Sequence, residues 1–182
     1  MTDILFKADD YIFDVRTVGV LVKDNKILVQ RDKDGYEYAL PGGHIKLGET
    51  TTEGLVREYK EEMGSDIRPL RLLWTEECFW KWNGRKTHNL AYYYLIELCD
   101  GSDIPDVGKF VSHKDNSNVV IGWLPIDKLQ DVIIYPEFLK KKIYELDSFS
   151  NTLLADKETT MIQYGNLTIH QDKVAIISSY SN

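Results

Sequence analysis

GHIKLGETTTEGLVREYKEEMG, residues 43–64, is the stretch from which the rest of this 182-residue chain can be read. Thr50 and Glu53 stand in the T-x-x-E spacing of a capping box, and Gly64 directly after Met63 supplies a residue able to adopt a left-handed stop. The spacing predicts a helix over Thr51–Met63. At 100° per residue, Glu61 and Glu62 fall roughly 60° and 40° to either side of Glu58, so three carboxylates share an arc of about 100°. Leu55, Val56, Tyr59 and Met63 lie directly beside them as an apolar stripe, and Glu53, Arg57 and Lys60 take the remaining side. Docking by that stripe leaves the acidic face at the edge of the core. Taken alone, Glu-Tyr-Lys-Glu-Glu is a common surface-helix sequence. Carboxylates held this close repel one another unless a cation sits among them, and hard oxygen ligands suit magnesium, with manganese as a substitute.

Outward from the helix, strands dominate. Tyr11 to Val22 and Ile27 to Gln30 are β-branched and aromatic runs separated by Lys23-Asp24-Asn25-Lys26, which predicts a hairpin. A short strand over Tyr38 to Leu40 ends at Pro41-Gly42-Gly43, where a glycine pair lets the backbone approach a phosphate or a metal without a Cβ in the way. Beyond Gly64, Ile67 to Trp82 and Lys86 to Leu98 flank Asn83-Gly84, the dipeptide of two-residue hairpin turns. Asp100 to Asn118 reads as a long polar loop of the kind that often carries function. Val119 to Trp123 is another strand, Leu124 to Leu129 one helical turn, and Pro136 opens a helix reaching about Leu146. From Ser148, the runs Thr160 to Tyr164 and Leu167 to Ser178 read as strands. This divides the chain into a domain over 1–147 and an extension over 148–182, either an added hairpin or an arm that joins a homodimer.

Composition narrows the function classes. With 43% hydrophobic and 28% charged residues the chain is globular, and no apolar run approaches the roughly 20 residues of a bilayer span. The start, MTDILFKADDYIF, lacks the basic and apolar regions of a signal peptide, so the cytoplasm is the expected compartment. Cys78 and Cys99 have no CxxC companions and are expected to be buried thiols. A net charge of -7 argues against general nucleic-acid binding, and Lys140-Lys141-Lys142 reads as a solvated helical face. A metal ion reconciles an acidic protein with an anionic, small-molecule substrate.

Gly43, Glu49, Arg57-Glu58, Glu61-Glu62 and Gly64 together reproduce Gx5Ex7REUxEExGU, where U is bulky and apolar, and the sequence is thereby similar to the Nudix (MutT-like) hydrolases. Seven specified positions match by chance in about one chain of this length in a million. Tyr59 is aromatic at the first U, and Ser65 replaces the usual aliphatic residue at the last; neither would be a metal ligand. The resemblance extends to Leu-Pro-Gly-Gly before the motif and Ile-Gly-Trp-Leu-Pro-Ile-Asp-Lys-Leu after it, covering about Tyr11 to Leu146.

What this resemblance implies is an α+β fold, an α/β/α sandwich with a mixed sheet. It also implies a Mg2+-dependent pyrophosphohydrolase acting on a nucleoside diphosphate linked to another group X: ADP-ribose, a nucleotide sugar, a dinucleotide or a modified triphosphate. Arg57, Glu58, Glu61 and Glu62 would be the catalytic set, with Glu58, Glu61, Glu62 and the Gly43 carbonyl on the metal and Glu49 orienting. Glu61 or Glu62 would be the general base, with Asp103, Asp106, His113 and Asp115 of the long loop as alternatives. Tyr36, Trp80, Trp82 and His88 are the candidate surfaces for X. The competing reading is a catalytically weak domain that binds a nucleotide as a regulatory module.

Overall fold

A computed structural model of the chain describes residues 1–82, 85–104, 109–111, 118–146, 152–157 and 177–178, with the main chain alone for 82, 109–111, 152–157 and 177–178. The chain opens with β1 (Leu5–Ala8), β2 (Tyr11–Val20), β3 (Val22–Lys23), β4 (Lys26–Asp32), β5 (Glu37–Ala39) and β6 (Gly42–His44). Between β3 and β4, Asp24 and Asn25 both take left-handed φ of 49° and 58°, as a two-residue turn with the twist of its flanking strands requires. The helix α1 spans Thr51–Met63 as the capping box predicts. The Thr50 side chain accepts from the Glu53 amide, Glu53 accepts from the Thr50 amide, and Gly64 closes the helix at φ 69°.

After it come β7 (Ile67–Trp82) and β8 (Arg85–Leu98), a long antiparallel ribbon whose expected Asn83-Gly84 turn lies outside the described residues. The rest is β9 (Lys109–Val111), β10 (Val119–Pro125), a 3-10 turn over Ile126–Asp131, β11 (Ile133–Tyr135), α2 (Leu139–Lys142) with a 3-10 turn to Glu145, β12 (Thr152–Lys157) and β13 (Ile177–Ser178). The described strands form two mixed sheets. One runs β1-β2-β8-β7-β12-β13 with β6 on the free stretch of β2; the other runs β11-β5-β4-β10-β9 with β3 on β4. The pairs β2 with β8, β7 with β12 and β5 with β11 are parallel, and the remainder antiparallel, in keeping with the expected α+β class.

Three local expectations are corrected. The long polar loop contains β9, paired to β10. The last helix begins at Leu139, not Pro136, because the β-branched run Ile133–Tyr135 is drawn into parallel pairing with Glu37–Ala39 and a turn from the Pro136 carbonyl to the Leu139 amide intervenes. Cys78, within β7, and Cys99, directly after β8, are free but half-buried rather than buried. Among the described residues no helix is long and apolar enough to cross a membrane.

Alternation along β4 builds two cores at once. Leu28 points into a cluster with Leu55, Tyr59 and Met63 of α1, while Ile27 and Val29 point the other way, into a cluster with Trp74, Tyr93, Leu129 and Leu139. Burying a side chain such as Leu55 or Leu28 contributes about 1.5–3 kcal/mol each. The closeness of α1 to the sheet depends on Gly19 of β2, where a Cβ would lie 2.4 Å from the Tyr59 hydroxyl and 2.8 Å from Ile96 Cδ1. Tyr59 is fully buried, and its hydroxyl donates to the Gly19 carbonyl at 3.3 Å. Gly19→Ala is therefore expected to lower stability by about 1–3 kcal/mol through overpacking, read as a lower urea midpoint at unchanged slope.

Candidate active site

The loop from Gly42 to Thr50 and the second and third turns of α1 are joined by one guanidinium. Arg57 Nε donates to Glu49 Oε1 at 2.6 Å and Nη2 to Glu49 Oε2 at 3.0 Å; Nη2 also donates to the His44 carbonyl at 3.0 Å. Its Nη1 donates to Glu58 Oε1 at 2.6 Å and to Glu61 Oε2 at 3.3 Å. Glu49 further accepts from the Lys46 amide at 3.0 Å, and Lys46 Nζ stands 3.7 Å from Glu61 Oε1. The bidentate bonds from Arg57, joined by that amide, outweigh burial and pull the Glu49 carboxyl down to about 2; the same bonds raise Arg57 above its ordinary value.

Glu58 is 4% exposed, more deeply buried than an acidic face at the edge of the core implied. It packs on Gly43: a Cβ there would lie 2.2 Å from Glu58 Cδ, so only glycine lets this main chain meet the carboxylate. Gly42 is equally constrained, since its Cβ would meet the Thr17 carbonyl at 2.2 Å. Glu61 is partly exposed, and burial, with the charge of Glu62, raises the Tyr59 phenol. Among the described residues no three His, Cys, Asp or Glu side chains converge into a closed metal cage. Glu58 and Glu61 instead share the nearest cation, Arg57 Nη1, and that pair beside the Gly43 main chain is a hard-oxygen set suited to a magnesium ion that keeps several waters.

Comparison with known proteins shows the family. A family model described as "NUDIX domain" matches residues 14–145, which is most of the chain. The chain belongs to the NUDIX family. An ADP-ribose pyrophosphatase of Methanocaldococcus jannaschii is 49% identical over 49 residues, 25% of this chain and 29% of that one. An 8-oxo-dGTP diphosphatase of Buchnera aphidicola is 28% identical over 120 residues, 57% of this chain and 87% of that one. This chain spans about a third of the length of the first curated relatives it matches. The solved MutT protein from Bacillus halodurans, 15% identical, superposes with a TM-score of 0.55 over 80% of this chain and 91% of that one, which supports the fold.

Within the NUDIX domain the departure from the motif at Ser65 is explained by a local contact. Ser65 is buried, and its hydroxyl donates to the Asp103 carbonyl at 3.0 Å, fastening the end of α1 to the start of the loop after β8. Asp103 itself is exposed; Asp106, His113 and Asp115 lie outside the described residues. The described candidates for X sit in different settings. Tyr36 is 72% exposed between β4 and β5, and Trp80 and His88 stand on opposite faces of the β7–β8 ribbon, because His88 is opposite Phe79. His88 is engaged by Glu77 at 2.8 Å and stacked on Phe79, and the Trp82 side chain is not described. Sequence reasoning missed a buried pair behind the loop, Asp14 and Asn89, although a lone Asp and a lone Asn inside apolar strand runs were a signal for it.

Because Glu49 has a lower pKa folded than its ordinary 4.5, its contribution to stability is fully present above about pH 4.5 and disappears as pH falls towards about 2. Urea unfolding from pH 5 to pH 2 is expected to show a steeper acid loss for the native protein than for Glu49→Gln.

Proposed function

We propose that this chain is a Mg2+-dependent pyrophosphohydrolase that cleaves a phosphoanhydride bond in a nucleotide derivative. The observation that carries the reading is the Arg57 hub, which gathers Glu49, Glu58, Glu61 and the His44 carbonyl around the Gly43 main chain. Glu58 and Glu61, with the Gly43 carbonyl, would hold the metal, and Glu62 of the same helix would complete the set by turning towards them. A magnesium ion there supplies charge neutralisation at the phosphates and a bound water of lowered pKa.

The side chains do the rest. Glu58 is buried and held in place by its bond from Arg57 Nη1. Glu61 is the more exposed of this pair, so it can accept a proton from an attacking water, and Arg57 keeps its guanidinium nearby while that charge changes. Gly42 and Gly43 let the main chain pack directly on the Thr17 carbonyl and the Glu58 carboxylate, which keeps the Gly43 main chain beside the acidic helix. Relatives named as an ADP-ribose pyrophosphatase and an 8-oxo-dGTP diphosphatase support this class of bond. The complete acidic set favours catalysis over a regulatory domain that only binds a nucleotide.

Incubation with Mg2+ and a panel of ADP-ribose, nucleotide sugars, dinucleotides and modified triphosphates, with products separated by chromatography, is expected to show cleavage of one class well above the others. Glu61→Gln and Glu62→Gln should each lower kcat by about 10²-fold or more, and chelation should abolish turnover. Native protein indistinguishable from both variants on every compound would sink the hydrolase reading.

A further inference from the structure

The strand that carries Gly43 is held from the helix side by Arg57 and Glu58, but it is also gripped from behind. β6 has three residues and pairs only with β2 among the described strands: Arg16 opposite His44, Thr17 opposite Gly43, Val18 opposite Gly42. By strand alternation, Thr17 and Gly43 face α1, whereas Asp14 and His44 project to the opposite face. There, Asp14 Oδ2 meets His44 Nε2 at 3.0 Å, and Asn89 Nδ2 of β8 donates to Asp14 Oδ1 at 2.7 Å. Asp14 and Asn89 are both buried.

A buried carboxylate is costly unless its lone pairs are used. Burial pushes the Asp14 carboxyl up, but the hydrogen bonds from His44 and Asn89, with Arg16 nearby, outweigh it and leave Asp14 below its ordinary value. An ionised Asp14 only accepts, so the proton between the two side chains sits on His44 Nε2. Both ends of His44 are thus fixed: the ring by Asp14, the carbonyl by Arg57 Nη2. His44 is joined to Gly43 by one peptide bond, so restraining it restrains the carbonyl that would face the metal.

We infer that Asp14, itself set by Asn89, is a positioning residue that acts through His44 to hold the Gly43 main chain in place for a divalent cation. This rests on the proposed metal-dependent reading of the same loop. It extends outward from the helix-side brace to a chain running from β8 through β2 to β6, in which both Asp14 oxygens are engaged, one by Asn89 and one by His44. Partners one step removed from a ligand commonly change metal affinity or activity by about 10–100-fold when lost.

The test is a Mn2+ titration followed by electron paramagnetic resonance on the native protein, Asp14→Ala, Asp14→Asn, His44→Ala and the Asp14→Ala/His44→Ala pair, alongside kcat and KM on whichever anhydride is cleaved. The inference expects Asp14→Ala to bind Mn2+ about tenfold more weakly and to lose kcat with little change in KM. It expects Asp14→Ala to add less than twofold once His44 is already alanine. Folded Asp14→Ala with Mn2+ affinity within twofold of native, or losses that simply multiply in the double variant, would overturn it. If Asp14→Ala does not fold, the isosteric Asp14→Asn decides by the same Mn2+ criterion. If the native protein cleaves nothing, the hydrolase reading fails while the Mn2+ titration still decides the brace.

Discussion

The bidentate ion pair between Arg57 and Glu49 is the constraint on which the rest of the site depends. Glu49 sits in the loop between β6 and α1, which is paired to the sheet side through Lys46 opposite Asp3 and Leu47 bonded to Thr2, and Arg57 sits two turns into a helix that the sheet positions. Joining them converts loop and helix into one body. Once the guanidinium is locked, its remaining N–H groups have fixed directions, and these are met by Glu58, Glu61 and the His44 carbonyl. Lysine, a point charge without the planar fork, cannot make this set of contacts. The pair has 19% and 10% side-chain exposure, so salt screens it far less than a surface bridge.

The sheet answers that polar body with small residues. Gly19 admits Tyr59, Gly42 lies against the Thr17 carbonyl, and Gly43 lies against Glu58. Gly19 and Gly43 bring the acidic helix close to the strands, and Gly42 brings β6 close to β2. On the reverse face of the same strand, Asp14 takes up the His44 ring. β2 is thus both the floor of the helix packing and the anchor of the loop.

Much of this was legible in the residues because the signals were local. The helix ends follow from Thr50, Glu53 and Gly64, whose effects reach three or four residues, and the Asp24-Asn25 turn follows from two residues tolerant of positive φ. The motif positions were legible because a fixed spacing on one helix and one loop encodes a fixed geometry. What escaped was non-local. The strand Ile133–Tyr135 exists through pairing with Glu37–Ala39, nearly a hundred residues earlier, and the apolar run alone cannot announce that partner. Asp14 and Asn89 looked like isolated polar residues in apolar strands until parallel pairing set them side by side. The aromatic candidates Tyr36, Trp80 and His88 were chosen by residue type, and type does not say to which face of a ribbon a ring points.

That parallel pairing of β2 with β8 has a consequence for the order of folding. Tyr11 lies opposite Lys86 and Val20 opposite Leu95, so a contact some 75 residues long in sequence must close before the floor of the site exists. The β7–β8 ribbon closes over a short separation and can form early, whereas joining β2 to it costs a large loop entropy that is recovered only when the two cores fill. A chain leaving the ribosome carries its acidic helix and loop before the strand that completes the floor beneath them. The constellation of charges becomes a site only after β8 has emerged, so the residues that carry the chemistry are made before the scaffold that fixes their geometry.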